Sequence, residues 1–550
     1  MVTTVSEAMV RCLEAEGVET IFGYPGATIC PFYDALSRSS IRHVLVRTEQ
    51  NAGHAANGYA RMTGKPAVCV VTSGPGATNL ITGISTAYMD SIPMVIITGQ
   101  VVSSLLGSDV FQEVDITGSV EAFIKHSYLV KDPKEIGRIF KEAFYIAGSG
   151  RPGPVLIDIP MDVQKMEIDF AYPEKAVIRS YKPSFKGHIG QINKAAAAIA
   201  KAERPLIVAG GGIFISGAEE ALREFAHKTS IPVVNTLMGL GALEADDPLR
   251  LGMIGMHGVP PANYAVNQAD VLILCGARVA DRTIPNPGAL SKHKTIIHMD
   301  IDPAEIGKNI GVDIPVVGDI KTILGQLAEV ACETGTKDGL KVDSSRWSEW
   351  LETLDERQRT YHPDHGERRN YVNPKLFMHE LYEKLPDDAI VVADVGQNQM
   401  WAANEFSVLH GRFLTSGGMG TMGYSLPCAI GAKAACPDRT TVSICGDGSF
   451  QMCFMELATE CQHGIPVKTV VFTNNRLGMV REHQRVAWDN NLTAVFLDGS
   501  PDFAKLAEAY GIPSARIHLN DQIDLAIDSL IHSDGPFLLE VIVDPLEPTL

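Results

Sequence analysis

The sequence predicts an α/β protein built from three doubly wound parallel-sheet domains. Three observations predict this class. Short apolar runs alternate with helical stretches along the whole chain, the pattern of parallel layers. The length, 550 residues, is too great for one core and calls for several domains. Two polar stretches, 172–190 and 333–372, read as linkers and divide the chain into similar parts, 1–180, 190–335 and 365–550.

The elements follow in order. Thr4-Val5-Ser6-Glu7 reads as a capping box opening an amphipathic helix, which with its acids excludes a signal peptide. The first part offers strands at 67–71 and 94–98. The second offers 206–209, 271–275 and 296–300. The third offers 390–394, 441–445, 468–473 and 538–543. No apolar run reaches the roughly 18 residues of a membrane helix. Ten cysteines without a Cys-x-x-Cys pair point to a reducing, cytoplasmic setting rather than to disulfides or zinc. A net charge of −18 without a basic stripe argues against nucleic acid. Local charge can still serve small anions.

The chemistry concentrates at strand ends. Gly446-Asp447-Gly448-Ser449 follows the strand at 441–445, and "NNRLGMV", 474–480, closes the next one. In parallel sheets ligands sit at the carboxyl ends of strands. Asp447 and Asn474 can therefore converge as oxygen ligands for Mg²⁺, with Gly448 and Ser449 presenting N–H groups to a diphosphate. An Asp-Gly turn alone would be plain turn chemistry; the pairing with Asn474 carries the reading. It resembles the diphosphate signature of thiamine diphosphate (ThDP) enzymes. ThDP chemistry needs a carboxyl group sharing a proton with the cofactor's pyrimidine ring. Glu49, after an apolar strand and before an Ala- and Gly-rich helix, supplies one. It is expected to be buried, which raises a carboxyl pKa. Helix capping is the competing role.

"FGYPGATICPFYDAL", "EQNAGHAANGYARMTG", "TSGPGATNLITGISTAYMDSIPMVIITGQV" and "FQEVDI" look like the pyrimidine-binding domain of acetohydroxyacid (acetolactate) synthases. "LTSGGMGTMGYSLPCAIGA" and the two strand-end motifs look like their diphosphate-binding domain. The sequence resembles that family's catalytic subunits over nearly its whole length. The resemblance implies decarboxylation of pyruvate and condensation with a second 2-keto acid, giving 2-acetolactate or 2-aceto-2-hydroxybutyrate for branched-chain amino acids. It implies a homodimer or homotetramer, with Glu49 and the diphosphate site of one cofactor coming from different subunits, and a possible small regulatory subunit.

The resemblance also assigns residues. For ThDP these are Gly26, Glu49, Gly396, Gln397, Asn398, Gly446, Asp447, Gly448, Ser449, Asn474, Gly478 and Met479, with Met422 as the apolar wedge under the cofactor. Mg²⁺ would take Asp447, Asn474 and the Arg476 carbonyl. Gln112 would face the reaction centre, Lys125 the channel entrance, and Ala27, Phe111 and His483 the substrate pocket. The middle motifs resemble an FAD-binding domain. They bring in Gly211 and Gly212, then Gly255, Met256 and His257, then Gly276, Arg278 and Arg282, then Asp300, Ile301 and Asp319, with Arg151 from the first part. Arg282 would also meet the acceptor carboxylate, a role suited to a planar cationic fork.

Several positions depart from the family pattern. Ala27 and Thr48 replace a usual Gly and His, Asn398 a His, and His483 a Trp. Ala280 replaces a carboxylate near the flavin, and "DPLEPTL" ends short of the usual tail. None touches Glu49, Asp447 or Asn474. Another ThDP lyase or a pyruvate oxidase would keep these core motifs too; a catalytically silent paralogue is the other alternative, and the intact Glu49 and metal pair argue against it. Gly210 to Gly212 alone would suggest a nicotinamide dehydrogenase.

Overall fold

A computed structural model describes residues 2–332 and 342–550; the expected boundary at 335 lies outside the described residues. Three six-stranded parallel sheets run along the chain, each with helices on both faces. Every expected strand is present, with ends moved by at most two residues, for example Met94–Gln100 and Thr441–Gly446. Strands covered on both faces are nearly continuous apolar runs, which is why they were legible.

Counting strands in chain order within each sheet, the first sheet runs 2-1-3-4-6-5 and so does the third. The two outer domains therefore share one topology although no repeat is visible in their residues. The middle sheet runs 3-2-1-4-5-6, the dinucleotide-binding order. Thr4 caps the first helix in a capping box with Glu7, as expected.

The outer domains also share a core. Helix Glu49–Thr63 packs on helix Ser425–Ala435 so closely that side chains are excluded at the crossing. A Cβ on Gly58 would lie 2.0 Å from the Cys428 carbonyl oxygen, and one on Gly431 would lie 1.8 Å from that of Ala55. Tyr424 donates to Asn57 Oδ1 at 2.7 Å, and Arg61 bridges buried Asp90 at 2.9 Å. This crossing fixes the helix that begins at Glu49 against the third domain.

One expected linker needs correction. The polar stretch 172–190 carries no regular element before residue 189. Within 333–372, however, Ser348–Thr360 is a helix packed on the middle domain. Trp347, Trp350 and Leu354 recur at helical spacing and are buried there; Trp347 Nε1 donates to the Ala202 carbonyl at 2.9 Å. The charged face of this helix hid its apolar stripe.

Candidate active site

In the third sheet the order reverses between strands Ile390–Ala393 and Thr441–Gly446, which pair directly. Ligands bind at such a switch point. The first strand leads into Gly396 and helix Gln397–Glu405; the second leads into Asp447–Phe450. Gly396 has φ +150°, and a Cβ there would lie 2.5 Å from Asn398 Oδ1. Asn398 Nδ2 donates to the carbonyls of Asp394 at 2.8 Å and Ile444 at 3.2 Å, tying the two turns together. The Ser449 hydroxyl both accepts from Gly446 N and donates to Gly446 O at 3.1 Å.

Asp447 is 2% exposed. Its Oδ1 accepts from Gly448 N at 2.8 Å; its Oδ2 accepts from Asn474 N at 3.1 Å and Asn475 N at 2.5 Å. Burial pushes this carboxyl up to about 6, against the pull of those backbone donors. No Lys or Arg is paired with it among the described residues. Asn474 Oδ1 accepts from Arg476 N at 2.9 Å, and its Nδ2 donates to Gln397 Oε1 at 3.3 Å. A Cβ on Gly478 would fall 1.7 Å from that same Gln397 oxygen, so only glycine allows the approach. The structure thus brings together Gln397, Asp447, Asn474 and Gly478 from three strand-end loops. A buried carboxylate balanced only by neutral donors, beside amide and carbonyl oxygens, fits a hard divalent cation.

Met422 also converges here: its Cε lies 3.6 Å from where a Gly448 Cβ would be. Its turn is held by Asp394, which the sequence reading passed over as the end of a strand. Asp394 is fully buried. Its Oδ1 accepts from Val395 N at 2.9 Å and Gly423 N at 3.0 Å, and its Oδ2 from Ser425 N at 2.8 Å. Burial pushes its carboxyl up to about 6. Met479, expected at the cofactor, is half-buried against the third domain's core.

In the first domain, Glu49 opens its helix at the carboxyl end of strand Arg42–Leu45. Its Oε2 accepts from Asn79 Nδ2 at 3.0 Å, and its Oε1 lies 3.3 Å from where a Gly76 Cβ would be. The expected burial is not met: Glu49 is partly exposed at the start of its helix, although Asn51 and Ala52 in the same turn are fully buried. Its flanks are anchored by a residue the sequence reading missed. Fully buried Glu456 accepts at Oε1 from Arg47 N at 2.9 Å and Asn51 Nδ2 at 2.8 Å. Its Oε2 accepts from Thr459 Oγ1 at 2.6 Å.

Gln112 has φ +60°, and its Cα lies 2.9 Å from where a Cβ on Gly74 would be, on the same turn as Gly76. Gly26 packs against Thr72, a Cβ there lying 2.5 Å from the Thr72 Cβ. Ala27 is exposed and Phe111 is 87% exposed. Lys125 stands apart from this group. Its ammonium donates to the Ile146 and Ser149 carbonyls and to Tyr181 Oη, and burial pushes it down to about 8. His483 is exposed on helix Gly478–Ala487, its ring edge-on to Trp488 at 4.7 Å.

The middle domain places its glycines at the switch between strands Pro205–Ala209 and Val271–Cys275. Gly212 N donates to the Gly276 carbonyl at 3.0 Å, and a Gly212 Cβ would lie 2.7 Å from Gly276 Cα. Close packing of two turns alone requires glycine at Gly212 and Gly276; Gly211 faces Met238. Gly255 has φ +112° and packs on the Arg282 carbonyl, which accepts from Met256 N at 2.9 Å. Arg282 is exposed, 3.3 Å from Met256 Sδ, and the His257 carbonyl accepts from Asn404. Arg278 reaches the loop at Gly418. Asp300 is buried at the end of its strand, just before Ile301, and burial pushes it up to about 6. Asp319 is engaged by Thr322 and Ser216, and Arg151 pairs with Asp302 at 3.2 Å and Glu305 at 2.9 Å. The strand order suits a dinucleotide; Asp319 and Arg151 would have to exchange partners to hold one.

Comparison with known proteins agrees with this geometry. Residues 3–119 match the thiamine pyrophosphate enzyme N-terminal TPP binding domain, 192–327 the central domain, and 394–541 the C-terminal TPP binding domain. The chain is 48% identical to a probable acetolactate synthase large subunit of Methanocaldococcus jannaschii, over 98% of this chain and 92% of the relative. It is 44% identical to the acetolactate synthase isozyme 2 large subunit of Escherichia coli K12, over 98% and 95%. With the acetolactate synthase large subunit of Corynebacterium glutamicum the identity is 43%, over 98% and 87%. No described helix is long and apolar enough to cross a membrane. The chain therefore belongs to the thiamine pyrophosphate enzymes and, within them, to the family of acetolactate synthase large subunits.

Proposed function

We propose that this chain condenses two molecules of pyruvate to 2-acetolactate with loss of carbon dioxide, and takes 2-ketobutyrate as an alternative acceptor. The observation that carries the reading is the buried Asp447 carboxylate, unpaired by any cationic side chain and set beside Asn474 and Gln397 at the switch point. ThDP, when bound, supplies the electron sink for breaking the carbon–carbon bond of a 2-keto acid. The protein binds, orients and moves protons around it. Asp447, Asn474 and the Arg476 carbonyl would hold Mg²⁺ for the diphosphate. Backbone N–H groups at Gln397 and Ser449 would face the phosphate oxygens, while the Gly448 N–H is taken by Asp447 Oδ1. Met422, beside Gly448, would give the cofactor an apolar support. The Glu49 carboxyl would share a proton with the pyrimidine ring nitrogen of bound ThDP. Arg282, exposed beside Met256, meets the acceptor carboxylate.

The middle domain would hold FAD at the Gly211–Gly276 switch, a reading supported by the strand order. The active unit is a homodimer or homotetramer. Supporting this are exposed apolar side chains beside the cofactor loops, among them Phe111, Met419, Met452 and Phe496. A small regulatory subunit is proposed because relatives are named large subunits. The cytoplasm is the proposed compartment, in keeping with ten free cysteines.

Asp447→Ala tests the cofactor reading. The variant leaves the diphosphate facing an incomplete cation shell. Added ThDP and Mg²⁺ are then expected to give no thermal stabilisation and no activity. Stabilisation equal to that of the native protein would contradict the assignment.

A further inference from the structure

Helix Gln397–Glu405 begins at the proposed diphosphate site and ends at a second cluster. Glu405 is its last residue, with a side chain 7% exposed. Around it stand His365, from the irregular stretch after helix Ser348–Thr360, and His379, on helix Pro374–Lys384. One ring nitrogen of each His and a Glu405 oxygen all lie within 4.8 Å of one another. His365 Nε2 is 3.2 Å from Glu405 Oε2, and the two imidazoles lie 4.8 Å apart at 30°. Three chain segments therefore aim metal-binding atoms at one point.

We propose that His365, His379 and Glu405 bind one first-row divalent transition ion of the zinc class. Several features favour this over a simple His–Glu hydrogen bond. A carboxylate buried at a helix C-terminus faces the negative end of the helix dipole and gains from a cation. No Lys or Arg is ion-paired with Glu405 among the described residues; its partner is the His365 imidazole. The near-parallel stacking of His379 on His365 adds a second nitrogen that the hydrogen bond does not need. Two imidazoles and one carboxylate suit zinc, cobalt or nickel, whereas Mg²⁺ and Ca²⁺ prefer all-oxygen sets. Tetrahedral bonds of about 2.1 Å require donors roughly 3.4 Å apart, which modest side-chain rotation supplies. His365 is 27% exposed, leaving a position open to water.

The bound ion would tie the stretch 361–373 and helix Pro374–Lys384 to the far end of the helix that starts at Gln397 and Asn398. It would be a structural staple, distinct from the Asp447–Asn474 site.

The test uses full-length protein stripped with a chelator and titrated with Co²⁺, whose visible bands report nitrogen and oxygen coordination. One Co²⁺ per chain is expected, displaced by Zn²⁺. His379→Ala should weaken binding at least 100-fold, about the upper range for loss of a supporting contact in metal sites. The same variant should retain ThDP- and Mg²⁺-dependent activity. Should it fold poorly in chelator, His365→Ala, in an irregular stretch, gives the same comparison. Asp447→Ala should leave the cobalt spectrum unchanged. Equal Co²⁺ binding by the native protein and the histidine variants, or loss of the spectrum in Asp447→Ala, would overturn the proposal.

Discussion

Asp394→Asn probes whether the turn carrying Met422 is held ready for the cofactor. The native carboxylate accepts three backbone N–H groups: Val395 and Gly423 on one oxygen, Ser425 on the other. An amide can keep its oxygen on the side with two donors. Its NH₂ then faces the Ser425 N–H, so one charge-assisted bond is lost and two donors face each other. Such a bond contributes about 1.5–3 kcal/mol. If that energy holds the Gly417–Ser425 turn in its binding form, ThDP affinity falls by about 10- to 150-fold. The assay is a ThDP titration followed by protein fluorescence at saturating Mg²⁺ and about pH 7.5. Burial places the native carboxyl near 6, so the gap between the proteins should narrow below that pH as the native group takes up a proton. A variant that unfolds at lower temperature but binds ThDP within twofold of the native protein would refute the reasoning. Asp394 would then support the fold and not the turn.

Two further outcomes are expected. Glu49→Gln should slow hydrogen exchange at the cofactor's thiazolium carbon by orders of magnitude, read by NMR after acid quench, with modest loss of ThDP binding; unchanged exchange would remove Glu49 from its role. Asp158 is buried between Thr98 Oγ1 at 2.6 Å and Gln100 Nε2 at 3.0 Å, and burial pushes it up to about 7. A raised folded value means its contribution is greatest below the unfolded value near 4 and is lost as pH rises to about 7. Asp158→Asn mimics the protonated form, so its melting temperature should rise relative to the native protein between pH 5 and pH 8; a constant difference would contradict this.

The strands and the meeting of Asp447 with Asn474 were legible because each has a local signature. Double-sided burial makes continuous apolar runs, and glycines flanking an acid at a strand end mark a ligand loop. Asp394 and Glu456 were not legible. Their partners are mostly backbone N–H groups or distant residues, so nothing near them in sequence distinguishes them from ordinary strand-end or helix acids. The shared order of the outer sheets was hidden for a related reason: topology is fixed by which strands pair, not by which residues repeat. Trp347, Trp350 and Leu354 did carry a helical period, but surrounding charge made 333–372 read as linker. Glu49 was placed at the right strand end, but its partial exposure was not legible from the Ala- and Gly-rich helix that follows it.

The central claim is carboligation, and product analysis tests it most directly. Purified protein given ThDP, Mg²⁺ and pyruvate should release one carbon dioxide for each 2-acetolactate formed, and should form 2-aceto-2-hydroxybutyrate when 2-ketobutyrate is added. Carbon dioxide release with acetaldehyde or acetate as the main product, or pyruvate turnover independent of ThDP, would contradict the account.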